Sequence, residues 1–474
     1  MTELNQKNPT PSRAVTKKRH SHQTNMTEGS PLIHIVQFSL PLLFGNIFQQ
    51  LYNTVDSIVV GNFVGKYALA AVGAGFPFMM ALSSLFLGVG IAATVMIAQA
   101  FGRQDFREVR LITGTVYRAA LIGTLPLMAA GFFLSGPVLR MMNVPDDGTL
   151  AMATQYLQII FIGLLGTVGF NLNAGMLQGV GDSVSSVRFL IIAALINTVL
   201  DLFFVIPLGM GVTGAALATV ISQWISWLLG IRHMNRNYNF FRIHFFRLPF
   251  DRRLFSQALR LGVPSALQNL FFSVGIIVLN SLINQFGTDF IAGFNGANKI
   301  DTFLFMPIQS FANAVTTFTG QNAGAGNLER IQQGRRATLA VSILFSILVG
   351  ALVFYFARPL IGLFNNSPAV LDAGQWYLQE VIPFYSLLAV LFVNNSVLRG
   401  VGKRGPPMIT SMVGLWLARV PAAHFIAHTW GHQYLFFSYG VGWILGVAFS
   451  LVYYYFGNWR QNVKVPAPAT ETDN

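Results

Sequence analysis

Four carboxylates interrupt the long apolar stretches of this sequence: Asp56, Asp201, Asp301 and Glu380. Ionisable side chains at membrane depth are costly, and where they occur they serve as ion or proton sites or as partners in buried pairs. Asn197 and Asp201 are four residues apart, so a helical run puts them on one face. Thr219 falls in the next apolar run at a similar depth, and Asp56 lies near the outer end of the first. Two carboxylates held close and away from water do not both stay ionised without a cation. They share a proton, or they hold sodium with amide and hydroxyl oxygens, since hard cations want oxygen ligands. The bland alternative is a hydrogen-bonded aspartate that only ties helices together.

The other candidates are weaker. Lys299 and Asp301 are two residues apart and do not face each other on a helix. Asp301 could line a cavity, but a structural ion pair, for instance with Arg419, suits it better. Glu380 lies within two turns of an outer helix end, where water is expected to reach it. Asn171 and Asn173 could hydrogen-bond into the first bundle.

The elements that position these residues follow from composition. Of 474 residues, 53% are hydrophobic and 10% charged, against about 25% charged in a soluble domain. A membrane span needs roughly 20 apolar residues. Twelve stretches qualify: 33–61, 70–98, 112–136, 151–178, 186–208, 213–233, 255–285, 290–318, 337–357, 374–398, 406–428 and 434–457. The runs are continuous rather than alternating, and helices then satisfy the backbone in lipid. With a cytoplasmic N-terminus, 24 of the 30 Lys and Arg fall in cytoplasmic tails, loops and flanks. This is the positive-inside bias. It puts both termini in the cytoplasm and accounts for the net charge of +13 without nucleic acid.

The chain also repeats itself. At a shift of 221–223 residues, Pro41 falls on Pro264, Phe48 on Phe271, and Gln99-Ala-Phe-Gly102 on Gln321-Asn-Ala-Gly324. Tyr156-Leu157-Gln158 falls on Tyr377-Leu378-Gln379, and Leu177-Gln-Gly-Val-Gly181 on Leu398-Arg-Gly-Val-Gly402. The expected fold is all-α: a polytopic membrane protein whose twelve transmembrane helices form two parallel six-helix repeats. The expected division is a disordered cytoplasmic tail over 1–31 whose following helix is an uncleaved anchor, an N-terminal bundle over 32–233, a basic cytoplasmic linker over 234–254, a C-terminal bundle over 255–457, and a cytoplasmic tail over 458–474. Parallel repeats suit two bundles that rock about a site between them. Gly102, Gly181, Gly324 and Gly402 suit left-handed caps at cytoplasmic helix ends, and Pro41 permits a bend in the first helix. The repeat breaks where the chemistry sits. Asp56 falls on Leu279 or nearby Val278, Asn197 on Ala418 and Asp201 on Ala422, so the acids are not a device common to both halves.

These motifs resemble the multidrug and toxic compound extrusion (MATE) family. The likeness rests on Gln99-x-x-Gly102 with Gln321-x-x-Gly324, Leu398-Arg-Gly-Val-Gly402, Asn197-Thr-Val-Leu-Asp201, Gly209 to Thr219, and Arg419-Val-Pro421. It covers about residues 32–457. The resemblance implies a secondary antiporter that exports organic cations or amphipathic drugs against inward proton or sodium flow. It further implies a first-bundle cation site of Asp56, Asn197, Asp201 and Thr219, with Tyr52 and Gln49 in the same network and Pro41 as the hinge of the first helix. Another branch of the family carries a helix-7 glutamate; residues 262–276 contain Gln268 and Asn269 but no acid. A flippase for lipid-linked sugars, from the wider superfamily, is the alternative, but it calls for a strongly cationic cavity. Only Arg118, Lys299 and Arg419 fall well inside spans, away from their cytoplasmic flanks.

Other chemistries fit poorly. There is no cysteine, so thiol chemistry and disulfides are excluded. Gly209-x-Gly211-x-x-Gly214 matches a dinucleotide pattern, yet no strand precedes it and it sits in an outer turn. His424, His428 and His432 recur every four residues at a helix end, without acids nearby in sequence, which is a poor metal site. No nucleophile–base pair stands at one depth, and there is no Walker lysine. The expectation is a non-enzyme without cofactor or bound metal. Its partners would be small organic cations or drugs and the lipid bilayer, with neither nucleotide nor nucleic acid. It would act as a monomer in the bacterial inner membrane.

Overall fold

The computed structural model describes residues 23–403 and 405–463, and they form a helical bundle. Twelve helices cross it. We number them α1 (Pro31–Val64), α2 (Lys66–Gly102), α3 (Phe106–Met141), α4 (Thr149–Ile162 and Leu164–Gly179), α5 (Ser183–Val205), α6 (Gly211–Asn237), α7 (Arg252–Phe286), α8 (Thr288–Gly324), α9 (Leu328–Tyr355), α10 (Pro368–Gly400), α11 (Gly405–Thr429) and α12 (His432–Phe456). Nine are uniformly long and apolar enough to cross a membrane, and α4 becomes a tenth as a bent pair. The other two, α2 and α8, each span 37 residues, which at 1.5 Å per residue exceeds the bilayer core. Polar side chains such as Asn298, Lys299 and Asp301 dilute the apolar character of α8.

The internal repeat is written in the backbone. Asp105 opens α3 by accepting the Glu108 N–H at 2.9 Å, and Asn327 opens α9 by accepting the Arg330 N–H at 3.0 Å. Such caps satisfy N–H groups a helix start leaves free, for about 1 kcal/mol each. Gly65 precedes α2 with φ +110°, and Gly287 precedes α8 with φ +90°. Both α4 and α10 break midway: α4 bends by 51° at Gly163, and α10 passes through a tighter turn at Ile382–Phe384. Two large apolar cores result, one from residues of α1–α7 around Tyr117, Phe161 and Trp227, the other from α7–α12 around Tyr377, Tyr385 and Phe436.

Two glycine expectations hold and two need correction. Gly181 and Gly402 take φ +83° and +82°, the left-handed positions after α4 and α10. Gly102 and Gly324 instead remain helical. The left-handed residues after α2 and α8 are Gln104 and Gly326. Gly102 and Gly324 are small for another reason: a Cβ on Gly102 would lie 1.9 Å from the Gln321 carbonyl oxygen, and one on Gly324 would lie 2.0 Å from that of Gln99.

The N-terminal end of the chain also differs from expectation. Of the tail assigned to 1–31, residues 1–22 lie outside the described residues, but Met26 is fully buried, because Asn322 and Arg330 of the second lobe bind its carbonyl. After α12, Trp459 is buried and donates to the Tyr454 carbonyl at 2.6 Å; residues 464–474 lie outside the described residues. The irregular link between lobes is residues 238–251, folded back on the first lobe. Tyr238 donates its hydroxyl to Asp182, and Pro249 packs against Gly114.

Candidate functional site

Asp56 on α1 and Asp201 on α5 come together within the first lobe, where their carboxyl groups are close enough to interact directly. Two carboxylates at such close range can hydrogen-bond only when one of them carries a proton. Asp201 is 1% exposed and Asn197 2%. In the orientation that satisfies both amide atoms, Asn197 Nδ2 donates to Asp201 Oδ2 at 3.1 Å and its oxygen accepts the Thr219 N–H at 3.2 Å. Turned over, the same amide donates to Thr219 Oγ1 at 3.3 Å. Asn197 therefore ties α5 to α6 in either orientation. One further oxygen on each aspartate is buried without a partner, which leaves room in the hydrogen-bond set for a cation.

The surroundings are tyrosines. Tyr52, one turn before Asp56 on α1, and Tyr156 on α4 both lie within electrostatic reach of both carboxylates. Tyr156 is visible in sequence only as a repeat match, and nothing in its spacing links it to Asp56. The bend at Gly163 brings α4 against α6: a Cβ there would lie 2.2 Å from Val220 Cγ2, next to Thr219. Gln49, two turns before Asp56, is exposed rather than enclosed with the pair. Pro41 lies inside α1, which continues unbroken through it.

The remaining candidates fall elsewhere. Asn173 accepts from the Tyr117 hydroxyl and donates to the Trp227 carbonyl at 2.9 Å, joining α3, α4 and α6. Asn171 donates to Thr167 of its own helix at 2.8 Å. Glu380 is not water-facing as expected. It is 7% exposed and accepts the Phe437 N–H at 3.1 Å, because the first turn of α12 closes over it. An anion at a helix start is favourable.

Asp301 heads a second cluster, in the other lobe. It accepts a hydroxyl hydrogen bond from Tyr385, and Tyr377 lies close beside it. Arg419 of α11 lies within electrostatic reach of it, with its guanidinium carbon 3.1 Å from the centre of the Tyr439 ring. Lys299 points away, over the Phe364 ring at 5.4 Å. His432 stacks on Phe286, and His424 bonds to its own helix at Val420. Among the described residues no three His, Cys, Asp or Glu form a metal cluster.

Two pseudo-symmetric six-helix lobes, one holding a close carboxylate pair with Asp201 buried and Asp56 half-buried, define a class: a polytopic membrane transporter. The chain belongs to the MatE family, whose sequence model matches residues 41–203 and 264–425, one segment in each half. It is therefore a transporter and not an enzyme. It is 28% identical to the probable multidrug resistance protein YpnP of Bacillus subtilis, over 92% of this chain and 97% of that protein. It is also 28% identical to the probable multidrug resistance protein NorM of Thermotoga maritima, over 82% of this chain and 84% of that protein. In structure it matches a MATE crystallised in complex with MaD3S with a TM-score of 0.86 at 24% identity, covering 93% of this chain and 99% of that one. That likeness carries the twelve-helix fold.

Proposed function

We propose that the protein is a cation-coupled exporter of organic cations or amphipathic drugs. The two lobes rock about a cavity between them while protons, or sodium, flow inward through Asp56 and Asp201. The observation that carries this reading is the close approach of these two carboxyl groups in one lobe, buttressed by Asn197 and Thr219. With a shared proton the pair is a single negative charge. Once the proton leaves, two like charges stand in contact, at a cost of about 4 kcal/mol for 4 Å and an effective dielectric near 20. The pair must then take a cation or move apart. Moving apart displaces α1 against α5, and Pro41, which withholds one hydrogen bond from the helix ladder, is where α1 yields most easily. Gln49 and Tyr52 lie on the segment of α1 beyond that hinge and would move with Asp56.

The names of the relatives support drugs as cargo, and the basic loops support a bacterial inner-membrane protein with both termini cytoplasmic. The protein acts as a monomer, since one chain holds both lobes. The flippase alternative gains nothing from the geometry. Arg118 lies over Phe250 at 5.6 Å and Lys299 over Phe364, while Arg419 is engaged with Tyr439. The deciding experiment is dye efflux from proteoliposomes with pH and sodium gradients imposed separately. Efflux that responds to neither gradient would overturn the coupling.

A further inference from the structure

The two lobes meet most closely where α2 and α8 end, on the side that carries the interlobe linker, and the contact there is reciprocal. Gln99 Nε2 donates to the Gly400 carbonyl of the other lobe at 2.8 Å. Gln321 Nε2 donates to the Gly179 carbonyl of the first lobe at 3.2 Å. The backbones touch in the same reciprocal way, Gly102 against Gln321 and Gly324 against Gln99, so neither glycine can carry a Cβ. Deeper along the same helices, Gly88 of α2 packs on Gly262 of α7, and Asn46 of α1 donates to Ser310 of α8 at 3.3 Å. All these contacts lie in the half of the molecule that holds the linker, and they form its seam.

The seam is symmetric, but what covers it is not. On the Gln321 side the residues before α1 run across both lobes. Met26 N–H donates to Gln321 Oε1 at 2.8 Å, and Asn322 Nδ2 donates to the Met26 carbonyl at 3.1 Å. Arg330 then gathers three carbonyls. It donates to Met26 through Nε at 3.1 Å, to Gly29 through NH1 at 2.8 Å, and to Glu28 through NH2. The Met26 side chain is fully enclosed with Phe38, Val187, Ala314 and Phe318, which come from both lobes. The Thr24 carbonyl closes on Gly181 of the first lobe, where a Cβ would lie 2.3 Å from it. On the Gln99 side the residues before α7 make a looser cover, Asp251 N–H donating to Thr115 Oγ1 at 3.0 Å. A cavity of about 330 Å³ opens there, lined by Gln99, Arg103, Glu108, Asp251, Arg253 and Ala323.

We propose that Thr24–Gly29 is a latch that holds the linker-side seam shut, and that Arg330 and Gln321 are its catch. The segment is covalently part of the first lobe, through α1, whose His34 also bonds the Glu28 carbonyl at 2.7 Å, while its other polar contacts outside the segment are mainly to the second lobe. Any movement that separates the lobes at this end must break the Gln321–Gly179 bond. It must also draw Met26 from its socket or release the three carbonyls from Arg330. A fully buried methionine and a charged donor on three carbonyls are far stronger ties than a loop lying on a surface. The latch therefore sets how often the exporter opens toward the cytoplasm. This inference rests on the rocking motion proposed above, but on neither the ion nor the cargo.

The chain has no cysteine, so one introduced thiol reports opening without background. Ser310 is buried at the seam and Ser310→Cys is nearly isosteric. In everted membrane vesicles, a membrane-impermeant maleimide reaches the introduced thiol only when the linker side opens. Arg330→Ala and Met26→Ala, each in the Ser310→Cys background, are expected to raise the labelling rate at least fivefold. Arg330→Lys, which keeps the charge but cannot span three carbonyls, should fall between. Arg336→Ala, an exposed neighbour losing the same charge, should leave the rate unchanged. Rates that match the unmodified chain in both latch variants, at equal membrane levels, would overturn the latch. If labelling then still responds to Asp201→Asn or to an imposed gradient, the coupling reading survives alone. Faster labelling in the latch variants, with efflux that ignores every gradient, would leave the latch standing and the coupling refuted.

Discussion

Tyr156 and Tyr377 stand 221 positions apart in the chain, and each sits beside a buried aspartate of its own lobe. Tyr156 lies by Asp56 and Asp201, and Tyr377 lies by Asp301. The repeat has kept the tyrosine and changed the charge that faces it. In the first lobe a second carboxylate stands there, which in the proposed mechanism takes up a proton or a metal ion. In the second lobe Arg419 approaches instead. A cation fixed to α11 cannot be exchanged with solvent, so the proposed coupling assigns the exchangeable cation to the first lobe. Tyr156→Phe should therefore weaken gradient-driven efflux severalfold with little change in stability. Tyr377→Phe should lower the melting temperature in detergent and leave the ion dependence as it was.

The same contrast makes a prediction for Asp301 and Arg419. Removing one member of a buried charged pair costs about 3–5 kcal/mol, while replacing both is often close to neutral. Arg419→Gln should lower the melting temperature markedly, and Asp301→Asn with Arg419→Gln should recover most of the loss. A double variant no more stable than Arg419→Gln would show that the two charges do not depend on each other.

Asp56→Asn and Asp201→Asn address the coupling itself. Each removes the negative charge that calls for a cation but keeps the shape. Coupling free energies of about 1–3 kcal/mol correspond to roughly 5- to 150-fold. Efflux driven by the effective gradient should fall within that range while the protein stays at normal level in the membrane. Full efflux in either variant removes that residue from the pathway. Asn197→Ala, which unties Asp201 from Thr219, should fall short of either aspartate variant.

Glu380 provides the opposite case. It is as buried as a functional carboxylate, but its partner is the first turn of α12. Glu380→Gln keeps a hydrogen-bond acceptor and gives up the charge–dipole contribution, about 0.3–1 kcal/mol. A small loss of thermal stability and unchanged efflux are expected. A large loss of efflux would move Glu380 into the transport pathway.

What can be read from the sequence divides along physical lines. The spans, the repeat and the pairing of Asp201 with Asn197 depend on local periodicity, and periodicity is legible in one dimension. The approach of Asp56 to Asp201 is legible only as equal depth, with resemblance naming the partners. Tyr156 escapes because the Gly163 bend decides where α4 carries it. Glu380 looks wet because its distance from a helix end is readable, whereas the helix that closes over it is not. The latch is hidden by composition. Residues before α1 are polar and Ser/Thr-rich, the mark of a loose tail, and one methionine and the glycine after it are too little signal to set against that.

The seam glycines allow the sign of a conformational change to be predicted. A Cβ on Gly102 would overlap the Gln321 carbonyl at 1.9 Å, and one on Gly324 would overlap that of Gln99 at 2.0 Å. In each case the obstacle is backbone, which cannot swing aside as a side chain can. The clash exists only while the lobes are closed at the linker end, and it vanishes when they part. Gly102→Ala and Gly324→Ala should therefore destabilise one conformation rather than the fold, and shift the population toward linker-side opening. Each helix has taken up an alanine where glycine stood, which by propensity alone favours it by about 1 kcal/mol, so melting should not suffer. Spin labels on cysteines introduced at two exposed linker-side positions, Arg107 on α3 and Arg336 on α9, would report the interlobe distance by pulsed electron resonance. A longer distance in both alanine variants is expected, larger still when combined with Arg330→Ala. An unchanged distance distribution would mean that the reciprocal contact yields locally, and that the seam does not control the opening.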